Sequence, residues 1–310
     1  MEHKITNIVF TRNRPLQLDG YLRSLYRNLP AELLRTYILH KPELFEEEYR
    51  HLFYKYPDCR VVEENDFHSD FLEILDKTET KYILFGIDDV VYFDSVDFGL
   101  IDEIFNRFPD DIFGFSLRLS KENTSNGNDY VDEIVVAGQT VHKIDWTKGQ
   151  TPTTRYPFEL CSTIYPTGLV KKILNNQMSN NLLTKRFFSP CSVSMKVLGH
   201  SKLRRKILKK FGYFFNPNTL ESWNCRWCQN NSQKLSHFLY FQKLCASAIQ
   251  INMVNTSARN DFCSADEYKV EELNNKYKQG YRIDIDFIRK NKPKKTHAGG
   301  EYFKLISKEK

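Results

Sequence analysis

The sequence lacks any long hydrophobic run, and this absence excludes one large class of proteins. No apolar stretch approaches the roughly 18–20 residues that span a bilayer, so no transmembrane helix is predicted. The first letters, MEHKITNIVF, pass directly into a strand-like segment, and we expect no signal peptide. The seven cysteines are an odd number without framework spacing, which favours a reducing compartment over a secreted disulfide fold. We therefore expect a globular cytoplasmic protein.

The chain also lacks a strong net charge, at a formal +6, and its basic residues are unevenly distributed. They concentrate in residues 185–210 and 289–295. Such segments serve as solvated helix faces, nucleic-acid patches or sites for anionic lipid and phosphate. No zinc-finger or aromatic RNA-reading pattern accompanies the charge, so no nucleic-acid partner is predicted. Residues 202–214 are basic and partly apolar, which suits peripheral contact with the inner face of a membrane.

Strand-like and helix-like segments alternate along the first half of the chain. Strands are predicted at 4–10, 36–39, 59–62, 82–87 and 112–117, with helices at 16–29, 43–53, 67–75 and 98–108. This alternation predicts an α/β fold with a mostly parallel central sheet flanked by helices. Further along, we predict strands at 134–136 and 248–255, helices at 202–211, 236–245 and 271–280, and a loop-rich end over 281–310. Without repeats or a low-complexity linker, residues 1–310 are predicted to form one domain.

The most informative stretch is YILFGIDDVVYF, residues 82–93. Its first residues are apolar or aromatic, as in a strand that is buried on both faces of a sheet. It ends on Asp88 and Asp89, and two adjacent carboxylates are costly to desolvate without a cation. Ligands of open α/β sheets bind at this end of the strands, where a divalent metal carrying a phosphate ester is the simplest partner. Alternatively, Asp88 caps the next turn and Asp89 faces solvent.

Other candidate ligand-binding residues follow strands that end at the same edge of the predicted sheet. Thr11, Arg12 and Arg14 lie in the turn after the first strand, where arginines can bind a base edge or a pyrophosphate through forked hydrogen bonds. Both arginines are also compatible with plain surface positions. Asp66 and His68 follow the third strand, although Asp66 is equally a candidate helix cap.

A first strand ending in Thr11-Arg12, a helix, and a later apolar strand ending in Asp88-Asp89 resemble the GT-A glycosyltransferases. The order of the later segments is similar to that in a bacterial and viral, family 2-like subgroup; these segments are 156–165, 216–221, 249–255 and 272–297. The resemblance implies a GT-A fold in which residues 1–120 bind a nucleotide sugar. It also implies that residues 121–310 bind the acceptor and end in a C-terminal lid.

The resemblance further implies a metal-dependent hexosyltransferase of polysaccharide synthesis that moves a sugar from a UDP-sugar to a glycan or glycolipid, with inversion favoured. Mn²⁺ or Mg²⁺ would hold the diphosphate. By the family pattern Asp88 meets the ribose or sugar, and Asp89 and His297 bind the metal. Val90 stands where the usual Asp-X-Asp motif has its last carboxylate, so the motif is incomplete.

An inverting enzyme needs a carboxylate that accepts the proton of the acceptor hydroxyl. The candidates are Glu221, Glu159 and Asp145, and each can also be read as a capping or surface residue. Glu221 has the best context, because Asn216-Pro217-Asn218 before it predicts a tight turn.

Two other functions stay open at this point. A nucleotidyltransferase also uses carboxylates on an α/β sheet, but it normally has a glycine-rich loop after the first strand, and Thr11–Pro15 contains no glycine. A non-catalytic carbohydrate-binding protein that keeps the fold is compatible with Val90.

Overall fold

The protein is described by a computed structural model that covers residues 3–124, 131–179, 213–231, 236–253 and 266–307. The basic segment 185–210 and the predicted helix 202–211 lie outside the described residues. So does all but the end of the predicted membrane-contact segment 202–214. Within the described ranges, none of the helices combines the length and the apolar composition that crossing a bilayer requires.

Fourteen strands are present in the described residues. They are β1 (Ile5–Arg12), β2 (Leu34–Lys41), β3 (Arg60–Glu63), β4 (Tyr82–Ile87), β5 (Val90–Tyr92), β6 (Ile112–Ser116), β7 (Val131–Val136), β8 (Gln139–Asp145), β9 (Thr163–Pro166), β10 (His237–Phe241), β11 (Ala246–Ile249), β12 (Tyr281–Ile283), β13 (His297–Ala298) and β14 (Leu305–Ser307). Nine of them form one sheet in the order β3-β2-β1-β4-β9-β6-β10-β8-β7. Only β8 and β9 run against the other seven strands of this sheet. The predicted α/β fold with a mostly parallel sheet is confirmed.

Helices cover both faces of this sheet. They are α1 (Pro15–Asn28), α2 (Glu46–Lys55), α3 (Phe67–Asp76), α4 (Phe98–Arg107), α5 (Lys121–Thr124), α6 (Thr167–Ser179), α7 (Pro217–Asn230), α8 (Val270–Lys278) and α9 (Ile285–Asn291). Side chains of β1 alternate between two hydrophobic cores, with Ile5 and Val9 in one and Ile8 and Phe10 in the other. This alternation explains why the central strands are apolar on both faces.

A second, three-stranded sheet brings the chain's C-terminal part to the end of β4. Its strand order is β13-β11-β5, and β5 begins directly after Asp89. Ala248 of β11 pairs with Val90 on one side and with His297 on the other. The register of this small sheet therefore holds His297 near the carboxylate pair, although some two hundred residues separate them in sequence.

Four local predictions were wrong. The strand predicted at 248–255 is β11, which covers Ala246–Ile249 and ends before Gln250. Residues 236–245 contain a strand, β10, rather than a helix; Phe238 and Tyr240 face one core and Leu239 the other, which is the alternation of a buried strand. Strand β8 was not predicted. It pairs with β7 through a hairpin whose turn has positive φ at Ala137 and Gly138. The segment 281–310, predicted as loop-rich, carries β12, α9, β13 and β14.

The buried His40 predicts a pH dependence of folding. Its ring lies in β2 with its centroid 4.0 Å from that of Tyr49, and among the described residues no group bonds its Nε2. Desolvation lowers the pKa of His40 to about 4, whereas the unfolded chain keeps a value of about 6.5. Between these values the unfolded chain binds more protons, so the free energy of unfolding decreases as the pH falls. The His40 contribution between pH 7 and pH 5 is about 2 kcal/mol.

Urea unfolding at pH 7 and pH 5 checks this expectation. The His40→Gln variant should lose less stability on acidification than the wild type, by about that amount. The matched control is His51→Gln on the exposed face of α2, which should keep the wild-type difference. Equal differences for wild type and His40→Gln would show that His40 does not titrate in this way.

Candidate functional site

A cavity of about 770 Å³ opens where the carboxyl ends of β1 and β4 meet the small second sheet. A concave site with a few converging polar groups is the usual form of a ligand site. Its acidic, basic and histidine lining residues are Arg12, Arg14, Lys41, Glu64, Asp88, Asp89, Arg118, Glu159, Glu221 and His297. Seven of the predicted site residues are in this set, and Thr11 also lines the cavity.

Arg14 bonds to both carboxylates of the pair. Its Nη1 donates to Asp88 Oδ1 at 3.0 Å and to Asp89 Oδ2 at 3.1 Å, and its Nη2 donates to the backbone oxygen of Asn252 at 2.5 Å. Arg14 and Asp88 are only 6% and 2% exposed. The cation that two adjacent carboxylates require is therefore a side chain of the same protein.

Asp88 is also bound from β1. Thr11 Oγ1 donates to Asp88 Oδ2 at 3.0 Å, and the backbone N–H of Arg12 donates to the same oxygen at 3.3 Å. Burial raises the pKa of Asp88 to about 6, although the Arg14 charge opposes that shift. Thr11 and Arg14, predicted to bind a ligand, thus bind Asp88 in this structure, while Arg12 lies at the rim with its Nε 2.6 Å from Glu43 Oε2.

Arg118 is a functional candidate that the sequence reasoning missed. It lies two residues beyond the end of β6 and is only 6% exposed. Its Nη2 pairs with the Glu159 carboxylate, which also accepts a hydrogen bond from Thr163 Oγ1. Its Nη1 lies 3.3 Å from His297 Nε2, and among the described residues its Nε has no hydrogen-bond partner. The available signal was its position after a predicted strand, the same signal that marked Arg12 and Asp88.

Glu221 enters the cavity from the first turns of α7. Asn216 caps this helix by accepting a hydrogen bond from the Thr219 N–H at 2.9 Å, and Pro217 occupies the first turn. Glu221 Oε1 accepts from the Leu160 N–H at 3.0 Å. Burial raises the pKa of Glu221, against the opposing effects of the Leu160 amide and the Arg118 charge. A raised pKa makes a carboxylate a stronger base.

His297 is held neutral at physiological pH. Partial desolvation in the cavity, together with the Arg118 charge, lowers its pKa to about 4. Its Nδ1 lies 3.2 Å from Thr296 Oγ1, and its Nε2 faces Arg118 Nη1. The ring is therefore oriented by its neighbours on both nitrogens.

Three predicted site residues are not brought to this cavity. Asp145 caps the short turn after β8 by accepting from the Thr147 N–H at 3.0 Å. Asp66 caps α3 by accepting from the Ser69 N–H at 3.0 Å, as its alternative reading proposed. His68 lies in the first turn of the same helix, and its ring packs against those of Tyr213 and Phe214.

The cavity residues do not fit a divalent ion as placed. Across the described ranges, no three His, Cys, Asp or Glu side chains are grouped so that they could hold a metal. Asp89, one predicted ligand, is bonded to Arg14, and His297, the other, faces Arg118. We derive no catalytic step through a metal ion.

Comparison with known proteins connects this chain to sugar transfer. Over 196 residues it is 23% identical to the bifunctional glycosyltransferase pgtA of Dictyostelium discoideum. Over this segment the chain is similar to a glycosyltransferase. The match covers 56% of this chain and 25% of that protein, so the chain spans about a quarter of the length of this curated relative. No family model matches the chain.

Solved structures with a similar arrangement include two complexes with nucleotide sugars. One is S. aureus TarS 1–349 in complex with UDP-GlcNAc, with a TM-score of 0.40, 14% identity, and coverage of 56% of this chain and 48% of that one. Another is the mannosyltransferase PcManGT from Pyrobaculum calidifontis in complex with GDP-Man and Mn²⁺, with a TM-score of 0.31, 15% identity, and coverage of 39% and 37%. At these scores neither likeness carries an argument about the site.

Proposed function

We propose that this protein transfers a sugar from a nucleotide-sugar donor to an acceptor hydroxyl, and that the 770 Å³ cavity is its donor site. One observation carries the proposal. A buried arginine, Arg118, whose Nε–H bonds to none of the described residues, and a carboxyl with a raised pKa, Glu221, line one cavity at the carboxyl ends of the strands. Sugar transfer from a diphosphate requires a cation that faces the departing diphosphate and a carboxylate that accepts the proton of the acceptor. The sequence relationship to a glycosyltransferase supports the same reading.

The residues divide the chemistry between them. The acceptor oxygen forms a bond to the anomeric carbon of the sugar while the bond from that carbon to the diphosphate oxygen breaks. Glu221 accepts the hydroxyl proton, because it makes no ion pair with a described residue, whereas Glu159 is paired with Arg118 and Glu64 with Lys41. Arg118 stabilises the negative charge that develops on the departing diphosphate. Glu159 acts through Arg118, whose guanidinium it positions.

The details of the reaction stay predictions. The resemblance favours a UDP-sugar donor and hexosyl transfer with inversion. It also favours a glycan or glycolipid acceptor of polysaccharide synthesis. A cytoplasmic location with contact to the membrane's inner face and the one-domain organisation are likewise predictions. The predicted Mn²⁺ or Mg²⁺ is left out of this mechanism, since Arg14 engages both members of the carboxylate pair.

Two alternative functions make different demands on the cavity. A nucleotidyltransferase needs a glycine-rich phosphate loop after β1, and the arginine in this turn bonds to Asp88 instead. A non-catalytic carbohydrate-binding protein needs no base, whereas Glu221, a carboxyl with a raised pKa, lines this cavity. Sugar transfer uses Glu221 as the base and Arg118 as the partner of the diphosphate.

A thermal-shift screen tests the proposal against these alternatives. We expect one family of nucleoside diphosphates and their sugars to raise the melting temperature, because only a bound ligand stabilises the folded chain. Arg118→Met should lose this response, and Asp145→Asn outside the cavity should keep it. Stabilisation by nucleoside triphosphates and sugar phosphates alone, or by free sugars alone, would contradict sugar transfer.

A further inference from the structure

We propose that Arg14 is the permanent counter-charge of Asp88 and Asp89, and that the nucleoside diphosphate binds this cavity without a divalent metal ion. The proposal rests on the proposed function, because it concerns how the same donor site meets the charge of its ligand. It replaces the metal that the sequence pattern predicts with two arginines, Arg14 and Arg118.

The first support is the occupancy of the carboxylate oxygens. Asp88 Oδ1 and Asp89 Oδ2 accept from Arg14, and Asp88 Oδ2 accepts from Thr11 and from the Arg12 N–H. Asp88 Oδ2 accepts two hydrogen bonds, so a metal could bind it only by displacing one of them, and Arg14 already takes one lone-pair direction of Asp88 Oδ1 and of Asp89 Oδ2. Only Asp89 Oδ1 has no such bond among the described residues.

The second support is that Arg14 is anchored at several points. It immediately precedes Pro15, which starts α1, and its backbone N–H donates to Tyr49 Oη at 2.8 Å. Its Nη2 donates to the Asn252 backbone oxygen at 2.5 Å. Moving this guanidinium aside would leave Asp88 buried without its ion pair, and breaking a buried pair in this way is strongly unfavourable.

The third support is the second predicted metal ligand. His297 Nε2 lies 3.3 Å from Arg118 Nη1. A metal ion on that nitrogen would therefore be repelled by the positive charge of the guanidinium. Each of the two predicted ligands, Asp89 and His297, therefore already contacts an arginine, whose charge would repel a metal ion bound there.

The same arrangement is suited to an anion. Arg14 reduces the charge of the Asp88–Asp89 pair from two negative charges to one, which lowers its repulsion of a diphosphate. Arg118 presents a buried N–H that no described group uses, and Arg12 lies at the rim. Guanidinium groups bind phosphate oxygens through directed, charge-assisted hydrogen bonds.

Calorimetric titration of the wild-type protein with UDP, in EDTA and in excess MnCl₂, tests the proposal. We expect dissociation constants that agree within about threefold. Binding that appears only with Mn²⁺, or that tightens tenfold or more, would overturn the metal-free site and leave the proposed function standing. No binding of UDP or of any other nucleoside diphosphate in either buffer would overturn the proposed function and this inference with it.

Direct Mn²⁺ titration, followed by electron paramagnetic resonance, supplies a test that needs no nucleotide. The wild type should bind no Mn²⁺ at this site, whereas Arg14→Met should gain a site that the further change Asp89→Asn removes. Arg12→Met, at the rim, is the matched control and should gain none. Mn²⁺ binding by the wild type that Asp89→Asn abolishes would overturn the proposal, even if the Arg14 variant does not fold.

Discussion

Replacing Glu221 by Gln is expected to lower the rate of sugar transfer by about 10²–10⁴-fold, which is the usual contribution of a general base. The amide oxygen can still accept from the Leu160 N–H, so the contact between α7 and the segment before β9 should be preserved. What the variant loses is the basic oxygen that accepts the acceptor's proton. Nucleotide binding should change little, because Glu221 acts on the acceptor side of the reaction.

Initial rates of transfer and calorimetric UDP titrations measure these two quantities separately. Asp145→Asn makes the same chemical change at a carboxylate that caps a turn outside the cavity, and it should keep both the wild-type rate and affinity. If Asp145→Asn were the slow variant and Glu221→Gln the fast one, the assignment of the base would be wrong.

Replacing Arg118 by Met is expected to weaken UDP binding by about 10–100-fold, the value of a hydrogen bond to a charged group. It should also lower the free energy of unfolding by about 3–5 kcal/mol, because Glu159 is left buried without its ion pair. The variant thus combines a functional loss with a structural one.

The double variant Arg118→Met with Glu159→Gln separates the two losses. Removing the orphaned charge should recover much of the stability in urea unfolding, while UDP binding stays weak. Recovery of wild-type affinity in the double variant would mean that Arg118 only supports the fold and does not contact the diphosphate.

Much of the fold was predictable because its strong signals are local. Strands β1 and β4 are apolar on both faces, and the helices between them show regular spacing. The β10 segment is only five residues long, too short for its period to distinguish a strand from a helix. Its neighbours β6 and β8 decide the outcome, and they are remote in sequence.

The sequence predicts that the candidate site contains a cation beside the carboxylate pair, but it does not predict which cation. Asp88 and Asp89 require a cation, and the structure supplies one. The identity of that cation depends on Arg14 turning inward toward Asn252, 238 residues away. Arg118 was missed for the same reason, since its role arises only when Glu159 and His297 come together around it.

A crystal structure of the protein with UDP tests the central claim most directly. We predict that the diphosphate lies in the cavity within hydrogen-bond distance of Arg118, with Glu221 facing the open acceptor side. We further predict that Arg14 still bonds to Asp88 and Asp89. An empty cavity, or UDP bound elsewhere on the protein, would contradict the assignment of this site to a nucleotide-sugar donor.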